Sequence, residues 1–315
     1  MLSSPFRKLA LLNTVLMLGF GAIALADNSA GPRKLTVTSF NIRYYGTGGE
    51  MTGTPEMEKR DPKLKEFIQK MIPASDIIVF QEITDPARLE KNILPLGWRC
   101  LNYDSAFANH QHVVLCHSGN FKIKREPNDN NDIIDEVSID GGKSRPALHA
   151  IVTDSAGKDV ARVIGVHLKA YPEESKTRQM QIDKIAAYLN SVSNKSLPVL
   201  ITGDFNTYNA DKTGELKPDA TLFDDAFKRD GVVIGQAPHP SKATYKNLKG
   251  QVSKFDHFWI SPSLKPVGAV KVFGVCNIDT SATVSTTTQG NPYLNLQYYY
   301  DNISDHCPVT LTVGY

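Results

Sequence analysis

The stretch from Leu197 to Asn206, Leu-Pro-Val-Leu-Ile-Thr-Gly-Asp-Phe-Asn, carries the clearest chemical signal in the chain. An apolar run ends at Thr202 and Gly203. A carboxylate, Asp204, and an amide, Asn206, stand just beyond it. Residues two apart on an extended chain point to the same side, so both side chains face one cleft. The pattern recurs. Asn41 ends the run Leu35–Phe40, Gln81-Glu82 ends Ile77–Phe80, and His167 ends Val160–Val166. Asp256-His257 opens the run beginning at Phe255, and Asp305-His306 precedes Val309–Val313. Singly, each has a plain explanation: a turn asparagine, a helix N-terminal acid, a satisfied core imidazole. Their repetition at strand ends implies one shared polar cleft.

The elements that must hold these groups alternate along the chain. Leu35–Phe40, Ile77–Phe80, Val113–Cys116, Ala147–Val152, Val160–Val166, Val199–Ile201, Phe255–Ile260, Ala269–Val275 and Val309–Val313 read as strands. The continuous apolar run Ile77–Phe80 fits a strand buried on both faces. Leu64, Phe67, Ile68 and Met71 follow the helical i, i+3, i+4, i+7 spacing, and Ile182, Ile185, Ala186 and Leu189 give a second helix. Strands followed by helices and turns suggest an α/β sandwich. Residues 44–56, 127–144 and 280–300 read as loops. The last holds a Ser/Thr run and Tyr298-Tyr299-Tyr300, which suits base stacking, interface anchoring or packing equally.

Composition sets the compartment. Arg7 and Lys8, the apolar run Leu9–Leu25 and the Ala24-Leu25-Ala26 triplet read as a secretory signal cleaved after Ala26. Residues 27–34 are then a short linker and 35–315 a single domain. No later segment is long and apolar enough to span a bilayer, so no stable membrane anchor is expected after cleavage. The full chain has 35 Lys+Arg against 33 Asp+Glu. Without residues 1–26 the balance is 33 against 33, and net charge gives no argument for a polyanion partner. The local cluster Lys122, Lys124 and Arg125 reads as a solvated face. Four cysteines in an exported chain favour disulfides, and no zinc-type Cys or His spacing exists. Cys100 and Cys116 flank a hairpin centred near residue 108, in a register that sets Leu101 opposite Leu115. Cys276 and Cys307 lie where the Ala269–Val275 and Val309–Val313 strands, as antiparallel neighbours, leave the sheet. The expected bridges are therefore Cys100–Cys116 and Cys276–Cys307.

Taken together, Phe40-Asn41-Ile42-Arg43, Gln81-Glu82, Ser144-Arg145-Pro146, Val166-His167-Leu168, Gly203-Asp204-Phe205-Asn206, Phe255-Asp256-His257-Phe258 and Ser304-Asp305-His306-Cys307-Pro308-Val309 resemble the ordered motifs of the endonuclease/exonuclease/phosphatase superfamily. The resemblance covers nearly all of residues 35–315. It implies a deoxyribonuclease I-like four-layer α/β sandwich, with two packed mixed β-sheets flanked by helices. It also implies phosphoester cleavage with Mg²⁺ or Mn²⁺, with Ca²⁺ as a candidate structural ion. Hard cations want oxygen ligands. By resemblance Glu82 is the principal ligand, Asn41 stands beside it, and Asp305 closes a second site. His306 is then a candidate base oriented by Asp256, and His167 a donor to the phosphate or the leaving oxygen. Asp204 and Asn206 position the nucleophile and the phosphoryl oxygens, and Arg145 pairs with a substrate phosphate. The resemblance leaves open whether Asp204 or His306 takes the proton. One departure stands out. A glutamate that supports the first histidine in deoxyribonuclease I has Gln111 or His112 at its place here, and Gln111 is left to orient His167 by a hydrogen bond.

Among the subfamilies, apurinic-site endonucleases carry a tyrosine where His167 stands. Inositol-phosphate phosphatases carry a Trp-Cys-Asp-Arg segment where this chain has Lys254-Phe255-Asp256-His257. Secreted sphingomyelinases share the histidine but usually present an apolar hairpin, which is not evident here. The expectation is a secreted or periplasmic, monomeric, metal-dependent phosphodiesterase, a nuclease of low sequence specificity with nucleic acid as substrate. The alternatives are a sphingomyelinase-like lipid phosphodiesterase, another phosphoesterase of the superfamily, and a catalytically silent binding module.

Overall fold

The computed structural model describes residues 33–47, 56–103, 111–126, 132–139, 144–208, 218–277 and 290–315. The export segment and parts of all three expected loops lie outside them. In chain order the first strands are β1 (Lys34–Tyr45), β2 (Ile77–Ile83), β3 (Arg99–Leu101), β4 (His112–His117), β5 (Lys122–Lys124) and β6 (Ile133–Ile134). Next come β7 (Ala147–Thr153), β8 (Asp159–His167), β9 (Val199–Asp204), β10 (Gly235–Gln236), β11 (Tyr245–Lys246) and β12 (Val252–Ser253). The last are β13 (Asp256–Ile260), β14 (Lys265–Pro266), β15 (Lys271–Val272) and β16 (Val309–Gly314). The helices are α1 (Met57–Met71), α2 (Pro86–Arg88), α3 (Ser175–Ser191), α4 (Asp219–Arg229) and α5 (Leu296–Asn302).

Two seven-stranded mixed sheets pack face to face. One runs β14-β16-β1-β2-β4-β3 with β15 also on β16. The other runs β10-β13-β9-β8-β7-β5 with β6 also on β7. Period-2 alternation sorts the second sheet's side chains. Ala161, Val163, Leu200 and Phe258 join the core shared with the first sheet, while Ile164, Val166, Ile201 and Trp259 face α3 and α4. Ile182, Ile185, Phe223 and Phe227 cover that outer face. On the first sheet, Leu64 and Phe67 of α1 pack with Phe40 and Phe80. The result is the expected α/β sandwich with helices outside both sheets.

Two glycines are fixed by close approach. A Cβ on Gly165 would lie 2.6 Å from Val79 Cγ1 and 2.9 Å from Val113 Cγ1, so only glycine lets the sheets meet there. Gly203 has φ +149°, and a Cβ on it would stand 2.0 Å from the Val166 carbonyl oxygen. The glycine before Asp204 therefore lets β9 lie against the end of β8.

The third loop expectation needs correction. Residues 290–300 are not loop throughout, because Tyr298-Tyr299-Tyr300 lies within α5. Tyr299 is fully buried, packs edge-on against Phe67 and donates to the His306 carbonyl at 3.0 Å. Tyr300 lies under the Arg43 guanidinium, 4.0 Å from it. Tyr299 is therefore a packing residue, while Tyr298 and Tyr300 are half-buried. Ile133–Ile134 likewise forms β6 within an expected loop. In the basic cluster, Lys124 pairs with Asp159 at 2.7 Å and Arg125 with Asp132 at 3.1 Å.

Both disulfides form as expected. Cys100 opposes Cys116 and Leu101 opposes Leu115 on antiparallel β3 and β4. The second bridge joins Cys276, just after β15, to Cys307, just before β16, and those strands are antiparallel neighbours. By chain entropy each bridge is worth about 3 kcal/mol. Reduction should therefore lower the melting temperature. Because Cys307 follows His306 directly, Cys307→Ser should cut activity more than Cys100→Ser. Melting curves with and without reductant, and kcat for the two variants, check this.

Candidate active site

Register brings the second sheet's chemical groups into one row. Asp204 sits directly opposite His167 on parallel β8 and directly opposite Asp256 on antiparallel β13. All three share the parity of Val163, Leu200 and Phe258, so they point toward the first sheet. His257, one residue out of phase, faces the other way. Its ring meets Thr207 Oγ1 at 2.8 Å and the Lys254 carbonyl at 2.9 Å, which makes it a satisfied structural histidine.

The first sheet supplies the opposing groups. Asn41 and Gln81 pair across β1 and β2. Strict alternation would send Glu82 to the face opposite Gln81. Glu82 instead takes φ +61°, and the register shifts between Asn41 and Tyr45. This left-handed backbone, unfavourable for a residue with a Cβ, breaks the alternation and returns the carboxylate to the cleft. There Glu82 Oε1 accepts from Asn41 Nδ2 at 3.0 Å, and Oε2 accepts from the Tyr44 amide at 3.2 Å. Asn41 Nδ2 also donates to Asp204 Oδ2 at 3.1 Å, so one amide joins the carboxylates of both sheets. Its Oδ1 accepts from the Arg43 amide at 3.0 Å.

His306 arrives on the turn after α5. Ser304 Oγ donates to the Asn41 carbonyl at 2.7 Å and accepts from the His306 amide at 3.1 Å. The His306 Nδ1 lies 2.9 Å from Asp256 Oδ2 and its Nε2 3.6 Å from Asp204 Oδ2. Both ring nitrogens thus face carboxylates, an arrangement that suits the doubly protonated ring. Burial favours the neutral imidazole, but Asp256 and Asp204 outweigh it and push the His306 pKa up to about 10. Burial likewise pushes the Asp204 carboxyl up to about 7, against the pull of His306. Burial holds His167 well below the ordinary imidazole range, and Arg145 and His306 reinforce it. Its Nε2 lies 3.5 Å from Asp204 Oδ2, while its Nδ1 has no hydrogen-bond partner among the described residues.

Asn206, at φ +48°, donates its side-chain amide to the Leu168 carbonyl at 3.1 Å. It thereby ties the β9 exit to the residue after His167. Gln111 does not orient His167 as expected. It accepts instead from Arg145 Nε at 3.2 Å and from Arg145 Nη2, and so aims the guanidinium into the cleft. The cleft has a volume of about 510 Å³, and Glu82, Arg145, His167, Asp204, Asp305 and His306 line it. Asn41 and Asp256 stand directly behind this lining.

Several contributors were not legible in the sequence. Tyr44, Lys169, Tyr171, Tyr208 and Tyr245 also line the cleft. Arg60, fully buried in α1, donates to the carbonyls of Ile42, Arg43 and Ile303. It thus clasps the segment after Asn41 to the one before Ser304. No sequence spacing marks Arg60 as anything but a helical surface base.

Glu82 and Asp305 offer carboxylate oxygens, and Asn41 an amide oxygen that here accepts from the Arg43 amide. That set suits a hard divalent cation that keeps most of its waters. Among the described residues no group of three or more His, Cys, Asp and Glu forms a closed cage, as a zinc site would need.

The endonuclease/exonuclease/phosphatase family model matches residues 38–306, and the chain belongs to that family. Its members include metal-dependent phosphoesterases, and this is the class that the fold and site define. No curated protein sequence matches the chain. An endonuclease/exonuclease/phosphatase family protein from Bacteroides thetaiotaomicron superposes with a TM-score of 0.60 at 19% identity, over 90% of this chain and 98% of its own. A mannosyl-6-phosphatase from the same species gives 0.60 at 19%, over 89% and 100%. TDP2 from D. rerio, complexed with a single-strand DNA product, gives 0.58 at 15%, over 90% and 99%. At these identities the likeness is one of fold.

The site sets a pH dependence on stability in the metal-free protein. The raised pKa of His306 contributes stability that is fully present below the ordinary value of 6.5 and lost as pH rises through about 10. Asp204, raised from 3.8 to about 7, contributes in the same direction over its own range. With chelator present, the melting temperature should fall from pH 7 to pH 10; below about 6.5 the depressed pKa values of His167, His239 and His257 act in the opposite direction, adding stability as pH rises. His306→Gln should flatten the upper half of that curve. Thermal melts across this range check both.

Proposed function

We propose that the chain is an exported, divalent-metal-dependent phosphodiesterase that hydrolyses nucleic acid with low sequence specificity. The observation that carries the reading is the buried row His167–Asp204–Asp256, with His306 bridging its two carboxylates, facing Asn41 and Glu82 across an open cleft. Mg²⁺ or Mn²⁺ is the cation the donor set suits, with Glu82 as chief ligand and Asn41 and Asp305 as the others. When bound, such a cation neutralises charge on the phosphoryl group and on the leaving oxygen.

In this reading Asp204 takes the proton from the attacking water. Its oxygens accept from Asn41 and from the Asn206 amide, which hold the carboxylate in place. A doubly donating His306 has no lone pair to offer, so its part is electrostatic: a fixed positive charge beside the phosphoryl oxygens. Asp256 keeps that charge in place. His167, neutral, offers its Nε2–H to a phosphoryl or leaving oxygen. Arg145, steadied by Gln111, supplies a second fixed cation for the phosphate. The groups that line the cleft, Arg145, His167 and His306, are suited to phosphate oxygens, which supports low specificity set by the phosphate backbone. Two disulfides and the Ala24-Leu25-Ala26 segment support export. Among the described residues no helix is long and apolar enough to cross a membrane.

Three measurements test this. Glu82→Gln should lower activity and Mg²⁺ affinity by orders of magnitude with the fold intact, and chelator should abolish wild-type activity reversibly. Activity that survives excess chelator would sink the metal-dependent reading. Asp204→Asn should cost far more rate than His306→Gln; the reverse order would make His306 the base. A panel of plasmid DNA, RNA, sphingomyelin vesicles and a soluble phosphomonoester assigns the substrate. Nucleic-acid cleavage that weakens as salt rises is expected. Hydrolysis of sphingomyelin alone, or of the phosphomonoester alone, would move the assignment to a lipid phosphodiesterase or a phosphatase.

A further inference from the structure

Two tyrosines stand on the cleft wall outside the catalytic row. Tyr171 follows His167 by four residues, and Tyr208 follows Asp204 by four. Since His167 and Asp204 are direct partners on parallel strands, the two loops leave the sheet side by side. Both tyrosines line the cleft.

Neither loop is left to itself. Arg178 of α3 is completely buried, and its Nη1 donates to the Tyr171 carbonyl at 2.6 Å and the Lys169 carbonyl at 3.0 Å. Arg178 Nε donates to Asp219 Oδ2 at 3.0 Å, and the same oxygen accepts from the Tyr208 amide at 2.9 Å. The Asp219 amide in turn donates to the Tyr208 carbonyl at 3.1 Å. The guanidinium also lies 5.1 Å from the centre of the Tyr208 ring. One buried ion pair therefore fixes the backbone of both tyrosines.

Tyr171 itself is the anomaly. It has φ +80° and ψ 142°, a backbone region that a residue with a Cβ rarely occupies. Its side chain is nonetheless 65% exposed, so packing does not explain the strain. A packed tyrosine in this protein looks like Tyr299, with no exposure. An aromatic ring held at a strained position, in the open, against a catalytic cleft calls for a flat partner.

We propose that Tyr171 and Tyr208 form a stacking platform for an unpaired nucleobase next to the phosphate being cleaved. The inference rests on the nuclease reading and narrows it to single-stranded substrate. In a duplex both faces of a base are covered by its neighbours, while an unpaired base has a face free for an aromatic side chain. Stacking tolerates any base, because every base has a π-face, and so it is compatible with low sequence specificity. Lys169, between His167 and Tyr171, brings a cation to the same stretch of cleft for the backbone.

The test compares a single-stranded oligodeoxynucleotide with an oligomer of equal length carrying stable tetrahydrofuran abasic units on the same phosphodiester backbone. The wild type should prefer the base-bearing oligomer by about ten-fold or more in kcat/KM. Tyr171→Gly should shrink that preference toward unity, chiefly through KM, and Tyr208→Leu should reduce it too. Tyr171→Phe should retain it, because the ring and not the hydroxyl stacks. Tyr171→Gly should also melt at a higher temperature than wild type, since glycine adopts this φ freely, so its lost preference is not a folding defect. A wild type that cleaves both oligomers equally, or a Tyr171→Gly variant that keeps the full preference, overturns the platform while leaving the nuclease reading intact. A wild type that cleaves neither oligomer but cleaves plasmid DNA or RNA overturns the platform alone; one that cleaves neither oligomer, nor plasmid DNA, nor RNA overturns the nuclease reading and the platform with it.

Discussion

Asp204 is a carboxylate that water barely reaches, 1% exposed, standing where the two sheets open into the cleft. An isolated charge there would be expensive, and burial alone raises its pKa toward neutrality. The surroundings are built to hold it. Asn41 reaches across from the first sheet, the Asn206 amide caps it from its own strand, and His306 stands opposite. His306 can carry a charge in turn because Asp256 sits on its far nitrogen. The chemistry of the cleft follows from this alternation of buried charges, in which each ionised group is tolerable only because the next is in place.

That dependence explains the fold features around it. Gly203 exists so that β9 can approach Val166, which puts Asp204 level with His167. Gly165 lets the sheets close to where Asn41 reaches Asp204. The left-handed turn at Glu82 spends conformational strain to return a carboxylate to the face that alternation denies it. Arg60, the Cys276–Cys307 bridge and Tyr299 each hold the segment that delivers His306. These are stabilising contacts whose placement makes sense only relative to the charged row.

The same economy of supports appears at the rim. Arg178 and Asp219 lie beneath the loops after His167 and Asp204, and their bonds go to backbone atoms of Lys169, Tyr171 and Tyr208. In the proposed reading the strand ends supply the reactive groups, and the loops beyond them supply the surface that meets substrate. A single buried ion pair sets the two loops in register with each other. Substrate contact is thereby coupled to the same two strands that carry the chemistry.

The sequence by itself determined which groups would meet. Asn41, Glu82, His167, Asp204, Asp256 and His306 each end or begin an apolar run, and the strands of two sheets packed face to face bring those ends together at one edge. The disulfide partners were legible for the same reason, since Cys100 and Cys116 sit at matched distances from one hairpin. Protonation was not legible. His306 reads as an ordinary imidazole until two carboxylates, 50 and 102 residues away in the chain, are brought to its two nitrogens. Gln111 was misassigned because sequence order places it near the strand that should support His167, whereas three-dimensional packing turns it to Arg145. Tyr298–Tyr300 looked available for substrate until α5 buried the middle ring, while Tyr171 and Tyr208 lay unremarked in loops. Local pattern fixes the face and the edge on which a residue lies. Only long-range packing decides what stands opposite it, and in a low-dielectric cleft that neighbour sets the charge.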